Sequence, residues 1–173
     1  LLTMTEEAGM DGAFGLQPNW LQADILINTD SEEEGEIYMG CAGGIDFIST
    51  LPLSREAIPA GFQTFKLTLK GLKGGHSGGD IHLGLGNANK LLARFLAGHA
   101  VELDLRLVDF NGGTLRNAIP REAFATVAVP AAKADELKKL SSVYLDILKN
   151  ELSAKEKNLT VVLESVSTDK AAL

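Results

Sequence analysis

An apolar/polar alternation with a period of two, repeated along the second half of the sequence, sets the strongest limit on the fold. Phe65, Leu67 and Leu69 alternate with Thr64, Lys66, Thr68 and Lys70, and Val101, Leu103, Leu105 and Leu107 alternate with Glu102, Asp104 and Arg106. Successive side chains on a strand point to opposite faces, so each segment describes a strand with one packed and one wet face. Residues 124–129 and 159–166 are weaker matches that complete a set of four. Two stretches with helical period lie between them: 87–97, with Leu91, Leu92, Phe95 and Leu96 on one stripe, and 134–152, with Leu137, Leu140, Tyr144, Ile147 and Leu148. Each stripe predicts a helix packed on the sheet by one face. The order strand, helix, strand, strand, helix, strand predicts a ferredoxin-like α+β domain, a four-stranded antiparallel sheet with both helices on one face.

The first part of the chain is patterned differently. Residues 23–28 (ADILIN) form a continuous apolar run that ends in Thr29, Asp30 and Ser31, as expected of a strand buried on both faces. Residues 1–5 read as the closing half of another buried strand, and residues 10–21 as a helix of modest length interrupted by Gly12, Gly15 and Pro18. The chain is therefore expected to divide into part of an α/β domain, 1–45, and a small α+β domain, 46–173. The opening lacks a polar lead-in and residues 170–173 favour helix, so both ends are expected to fall inside longer elements.

Composition narrows the partners. Apolar residues make up 45% and charged residues 23% of the 173, ordinary values for a soluble globular protein. A net charge of −7 and a pI near 5.0 argue against a surface that tracks nucleic-acid phosphates or binds a membrane through basic residues. No apolar run approaches the roughly 20 residues needed to cross a bilayer. Cys41 is the sole cysteine and has no internal disulfide partner, which suits a reducing, cytoplasmic setting.

Four places could carry chemistry. Glu6 and Glu7 precede Ala8-Gly9, where two carboxylates can diverge around one point, one reaching a metal and the other its bound water; a solvated acidic pair is the plainer alternative. Asp30 ends the buried run and suits either a metal ligand or a turn cap, while Glu32, Glu33 and Glu34 behind it read as a solvated turn. The glycine-rich run 71–80 lacks the spacing of a phosphate loop but presents His76 on a backbone with little bulk, as a reactive imidazole or an incidental turn residue. His82 has no comparable setting, and His99 beside Gly98 reads as a helix-end histidine. Residues 111–120 (NGGTLRNAIP) carry Arg116 and Asn117, a pair able to hold a carboxylate or a polarised carbonyl, or simply turn chemistry.

Taken together, LLTMTEEAGMDGAFGL, DILINTDSEEEGEIYMGCAGG, LKGLKGGHSGGDIHLGLGNANKLL and GGTLRNAIPREAFA resemble the bacterial Xaa-His (aminoacyl-histidine) dipeptidases, a carnosinase-like group of co-catalytic zinc exopeptidases. The resemblance covers essentially the whole chain. It implies an α/β catalytic part followed by a lid domain that also forms a homodimer, with two zinc ions per active site, replaceable by cobalt or manganese. It implies Glu6 as general base, Glu7 and Asp30 as ligands of the two metals, His76 as a lid histidine that stabilises the oxyanion in the partner subunit's site, and Asn117 as a substrate contact. The implied reaction is hydrolysis of Xaa-His dipeptides by a zinc-activated water. Such enzymes also use an upstream His-x-Asp pair, a bridging Asp and a late His, and none of His76, His82 or His99 stands in those contexts. The resemblance thus implies an internal piece that is inactive alone. A non-catalytic lid and dimerisation module, or a related zinc peptidase or amidohydrolase with another substrate, are the alternatives.

Overall fold

The computed structural model describes residues 2–30, 33–41, 43, 45 and 47–173. Backbone contacts divide the chain into two units, Leu1–Pro52 and Leu53–Leu173.

In the first unit the described residues form one 3-10 turn, Glu6–Ala8, and one turn of helix, α1, Asp11–Phe14. The helix expected over 10–21 stops there because the Gly15 N–H folds back onto the Asp11 and Ala13 carbonyls, and glycines at 12 and 15 favour leaving the helix. The strands expected over 1–5 and 23–28 do not form among the described residues, and Leu1 and Ser31 lie outside them. Ile25, Leu26 and Ile27 are 78%, 89% and 79% exposed. A strand buried on both faces exists only between neighbours, and the described residues of this unit supply none.

The second unit carries the alternation. Its elements are β1 (Phe62–Lys70), β2 (Gly75–His76), α2 (Ala88–His99), β3 (Arg106–Gly112), β4 (Ala118–Ile119), β5 (Ala123–Pro130), α3 (Ala134–Glu151) and β6 (Thr160–Ser165). The main sheet has the order β3-β5-β1-β6 with every neighbour antiparallel, while β2 and β4 pair separately. This is the expected ferredoxin-like arrangement. Phe65, Leu67 and Leu69 of β1 and Ala123, Ala125, Val127 and Val129 of β5 meet Leu91, Leu92, Phe95 and Leu96 of α2 and Leu137, Tyr144 and Leu148 of α3 in one core. Full burial of such a side chain contributes about 1.5–3 kcal/mol, whereas an exposed ion pair such as Arg94–Glu151 contributes roughly 0–1 kcal/mol. The packed face therefore holds the unit together.

Three expectations need correction. The strand over 101–107 begins only at Arg106, because residues 100–105 close the end of α2: Leu103 N–H donates to the His99 carbonyl and Leu105 N–H to the Ala100 carbonyl, with Asp104 left-handed at φ 44°. That is the bonding of a Schellman-type helix end, which aspartate tolerates better than a bulky residue. Leu103 is buried by this turn while Val101 is 95% exposed. Ile147 is 45% exposed, since the buried stripe of α3 runs through Leu137, Ser141, Tyr144 and Leu148 instead. Residues 170–173 are not helical. Ala172 bridges Glu56, Leu173 N–H donates to the Leu107 carbonyl, and Arg55 Nη1 donates to the Val108 and Ala171 carbonyls. These segments cover the β3 edge where Val108 bulges out of register and packs with Ala128 and Ala172 on the face opposite the helices.

Between the helices, the Tyr144 hydroxyl donates to the Leu91 carbonyl at 2.7 Å and accepts from Arg94 Nε at 2.9 Å. Burial pushes the Tyr144 phenol up and the guanidinium pulls against it. Tyr144→Phe keeps the ring against Phe95, 5.2 Å away, and removes only this link. A loss of about 1 kcal/mol is expected, read as a lower urea midpoint with an unchanged slope; an unchanged midpoint would count against the link.

Candidate functional site

The residues expected to act fall in both units. Glu6 and Glu7 stand on the 3-10 turn, where successive side chains diverge around the axis. The Asp30 N–H donates to the Asn28 side-chain oxygen at 2.9 Å. All three are exposed, and Glu33 and Glu34 are exposed in the turn that follows, Glu32 lying outside the described residues. Among the described residues no three His, Cys, Asp or Glu side chains converge as a metal site. Three carboxylates without an imidazole are also a poor zinc donor set. The residues present do not fit a two-zinc centre by themselves.

In the second unit the structure brings His76 and Asn117 together. The glycine-rich loop after β1 and the loop after β3 meet through the short β2/β4 pair, in which His76 faces Ala118 across the register. Ser77 N–H donates to the Asn117 carbonyl at 2.7 Å and extends that pairing. At the far end of the second loop, the Pro120 carbonyl accepts the Ala88 N–H from the first turn of α2. Asn87 caps that helix through its side chain onto the Lys90 N–H at 3.0 Å. A shallow cleft of about 490 Å³ lies here, lined by Ser77, Asn87, Asn89, Thr114 and Arg116 among others.

Sequence reasoning missed several residues that build this place. Asn89 Nδ2 donates to the Gly112 carbonyl at 3.1 Å, and its Oδ1 is buried without a hydrogen-bond partner among the described residues. A Cβ on Gly112 would stand 2.1 Å from that oxygen and 3.0 Å from the Ala123 Cβ, so a side chain here would push Asn89 out of its present position. Asp80 accepts the His76 N–H at 2.8 Å. Its position four residues after His76 in a glycine-rich turn was a readable signal. Glu156, 3% exposed, accepts the Lys73 N–H at 2.8 Å and the Gly86 N–H at 2.9 Å, joining the two ends of the His76 loop from below. The expectation for His99 holds. It ends α2, packs at a tilt against Phe95 with ring centroids 4.9 Å apart, and hydrogen-bonds Glu102 at 3.1 Å.

The chain is 82% identical over all 173 residues to the cytosol non-specific dipeptidase of Escherichia coli (strain K12) and spans 36% of that protein's length. It is similar to the crystal structure of aminoacylhistidine dipeptidase from Vibrio alginolyticus, with 60% identity and a TM-score of 0.76 over 99% of this chain and 35% of that one. The chain thus spans about a third of the length of the relatives it matches. Residues 67–156, more than half of the chain, match M20_dimer, the peptidase dimerisation domain, and the chain belongs to that family.

Proposed function

We propose that this chain is part of a metal-dependent dipeptidase, with residues 46–173 as its lid and dimerisation domain and residues 1–45 as part of its catalytic domain. The observation that carries the reading is the 82% identity along the whole chain to a dipeptidase. The two relatives differ in their printed scope, one non-specific and one aminoacyl-histidine. Cleavage of unblocked dipeptides that includes Xaa-His substrates such as β-alanyl-histidine satisfies both. In this reading Glu6 serves as general base, Glu7 and Asp30 contribute to the two-zinc centre beside donors outside the present sequence, and His76 and Asn117 act on substrate from the lid. A cytoplasmic location follows from the cytosolic relative.

A homodimer formed through the lid fits the family and the surface of the second unit. Segments 55–56 and 171–173 cover the β3 edge of the sheet. No described residue pairs along the outer edge of β6, and Val143 and Ile147 lie exposed on α3, which packs against β6.

The test is a panel of unblocked and N-acylated dipeptides given to the full-length protein with and without added zinc, alongside the 173-residue chain alone. Zinc-dependent hydrolysis of the unblocked dipeptides by the full-length protein, and none by the isolated chain, is the expected result. Hydrolysis confined to N-acylated substrates would replace the dipeptidase reading with an amidohydrolase one. Sedimentation of the same protein across a range of concentrations should show a dimer; a monomer throughout would remove the dimerisation role.

A further inference from the structure

The loop 76–80 makes hydrogen bonds to one ring nitrogen of His76 and to both sides of its backbone. The Gly78 and Gly79 N–H groups both donate to Nδ1, at 3.1 and 3.0 Å. The His76 N–H donates to Asp80 Oδ2 at 2.8 Å, and the Asp80 N–H donates back to the His76 carbonyl at 3.0 Å. A nitrogen that accepts N–H bonds presents its lone pair, so the proton of the neutral ring sits on the other nitrogen. Turning the ring over would set a C–H against two N–H groups and leave both unsatisfied. The donors here are backbone amides, whose direction is fixed by the chain, so the ring has one favourable orientation.

We infer that the 76–80 loop fixes His76 as its Nε2–H tautomer, with Gly78, Gly79 and Asp80 as the positioning residues that hold the ring in one orientation. The inference rests on the reading of the second unit as the lid of a dipeptidase, and it concerns what sets the tautomer of the lid histidine, whose donor role that reading already implies. The ring is exposed and Nε2 makes no hydrogen bond among the described residues, so the donor faces outward. A negative oxygen developing on a carbonyl is the acceptor that such a donor suits. The glycines matter for space as well as for their amides. A Cβ at Gly78 would press on the ring at 3.3 Å from both Cε1 and Nδ1. At Gly75 a Cβ would stand 2.8 Å from Asp80 Oδ2, the atom that holds the His76 backbone.

Two measurements test the inference. Long-range proton–nitrogen correlation spectra of the 15N-labelled chain, taken where the imidazole is neutral and assigned with His76→Gln, should show a pyridine-type Nδ1 and a pyrrole-type Nε2. Asp80→Ala should shift His76 towards a mixture of tautomers, and Asp80→Asn, which keeps an acceptor oxygen, should restore the single form. An Nδ1–H ring in the unaltered chain, or an Asp80→Ala spectrum identical to it, overturns the positioning role. In the full-length protein, His76→Ala should lower kcat by about 10²–10³-fold, the range for loss of one oxyanion donor. His76→Gln places an amide N–H near the Nε2 position and should recover at least about tenfold of that loss, whereas His76→Asn, whose amide reaches only the Nδ1 position, should not. If Gln and Ala are equally inactive, the donor role is wrong although the histidine is needed. If His76→Ala retains full activity, the lid reading of His76 itself fails.

Discussion

Replacing Glu156 by alanine is expected to lower the stability of the second unit by roughly 3 kcal/mol. The carboxylate is buried and accepts two backbone N–H groups, those of Lys73 and Gly86. A hydrogen bond to a charged group contributes about 1.5–3 kcal/mol, and a buried donor left without an acceptor costs about 1–3 kcal/mol. The Gly86 amide is the more costly to strand, because its bond is buried whereas that of Lys73 is part-buried. Glu156→Gln keeps one acceptor oxygen but turns an NH2 towards the second donor, so it should lie between wild type and alanine. Urea unfolding followed by circular dichroism reads the change in midpoint, with the slope unchanged. A loss below about 0.5 kcal/mol, typical of a surface substitution, would show that water replaces the carboxylate at no cost. There is a functional corollary. Lys73 and Gly86 flank the loop that holds His76, so the alanine variant should also speed amide exchange at Gly78 and Gly79, which otherwise bond to the imidazole.

How far the sequence disclosed this molecule depended on whether a signal was local. Strand β1 was legible because Phe65, Leu67 and Leu69 face the core and alternation in sequence is that geometry written out; β5 was a weaker match, since Ala128 is buried on the opposite face against Val108 and Ala172. The same rule failed at residues 101–105. Leu103 and Leu105 alternate with Glu102 and Asp104, but the unpaired carbonyls at the end of α2 capture the Leu103 and Leu105 amides first, and a strand cannot begin until they are released. Residues 23–28 have the composition of a buried strand, yet burial is supplied by neighbours, and none is present among the described residues of the first unit. Glu156 gave no warning at all. It sits in the polar run AKEKN, and its burial is decided by loops some seventy to eighty residues earlier in the chain. The candidate site divides in the same way. His76 and Asn117 are brought together by a β pairing that glycine-rich loops permit, while Glu6, Glu7 and Asp30 do not converge with other donors among the described residues.

In the full-length protein Glu6→Gln should reduce kcat by about 10²–10⁴-fold, the range for loss of a positioned general base. Glutamine has almost the shape of glutamate but cannot accept and carry a proton, so the change removes proton transfer from the attacking water and little else. Glu7→Gln distinguishes the neighbouring role. If Glu7 is a metal ligand, replacing its carboxylate should lower the zinc bound per subunit after dialysis, whereas Glu6→Gln should retain the wild-type content. Metal analysis therefore separates the two carboxylates even where both variants are inactive. Loss of metal from Glu6→Gln with retention in Glu7→Gln would exchange the assignments. Undiminished turnover in Glu6→Gln would remove Glu6 from the mechanism. Because the two side chains diverge from adjacent positions on one short turn, a rigid shift of that turn would move both. A reduction in both activity and metal for both variants would thus point to the turn itself, and circular dichroism of each variant in its metal-free state checks that the fold survives.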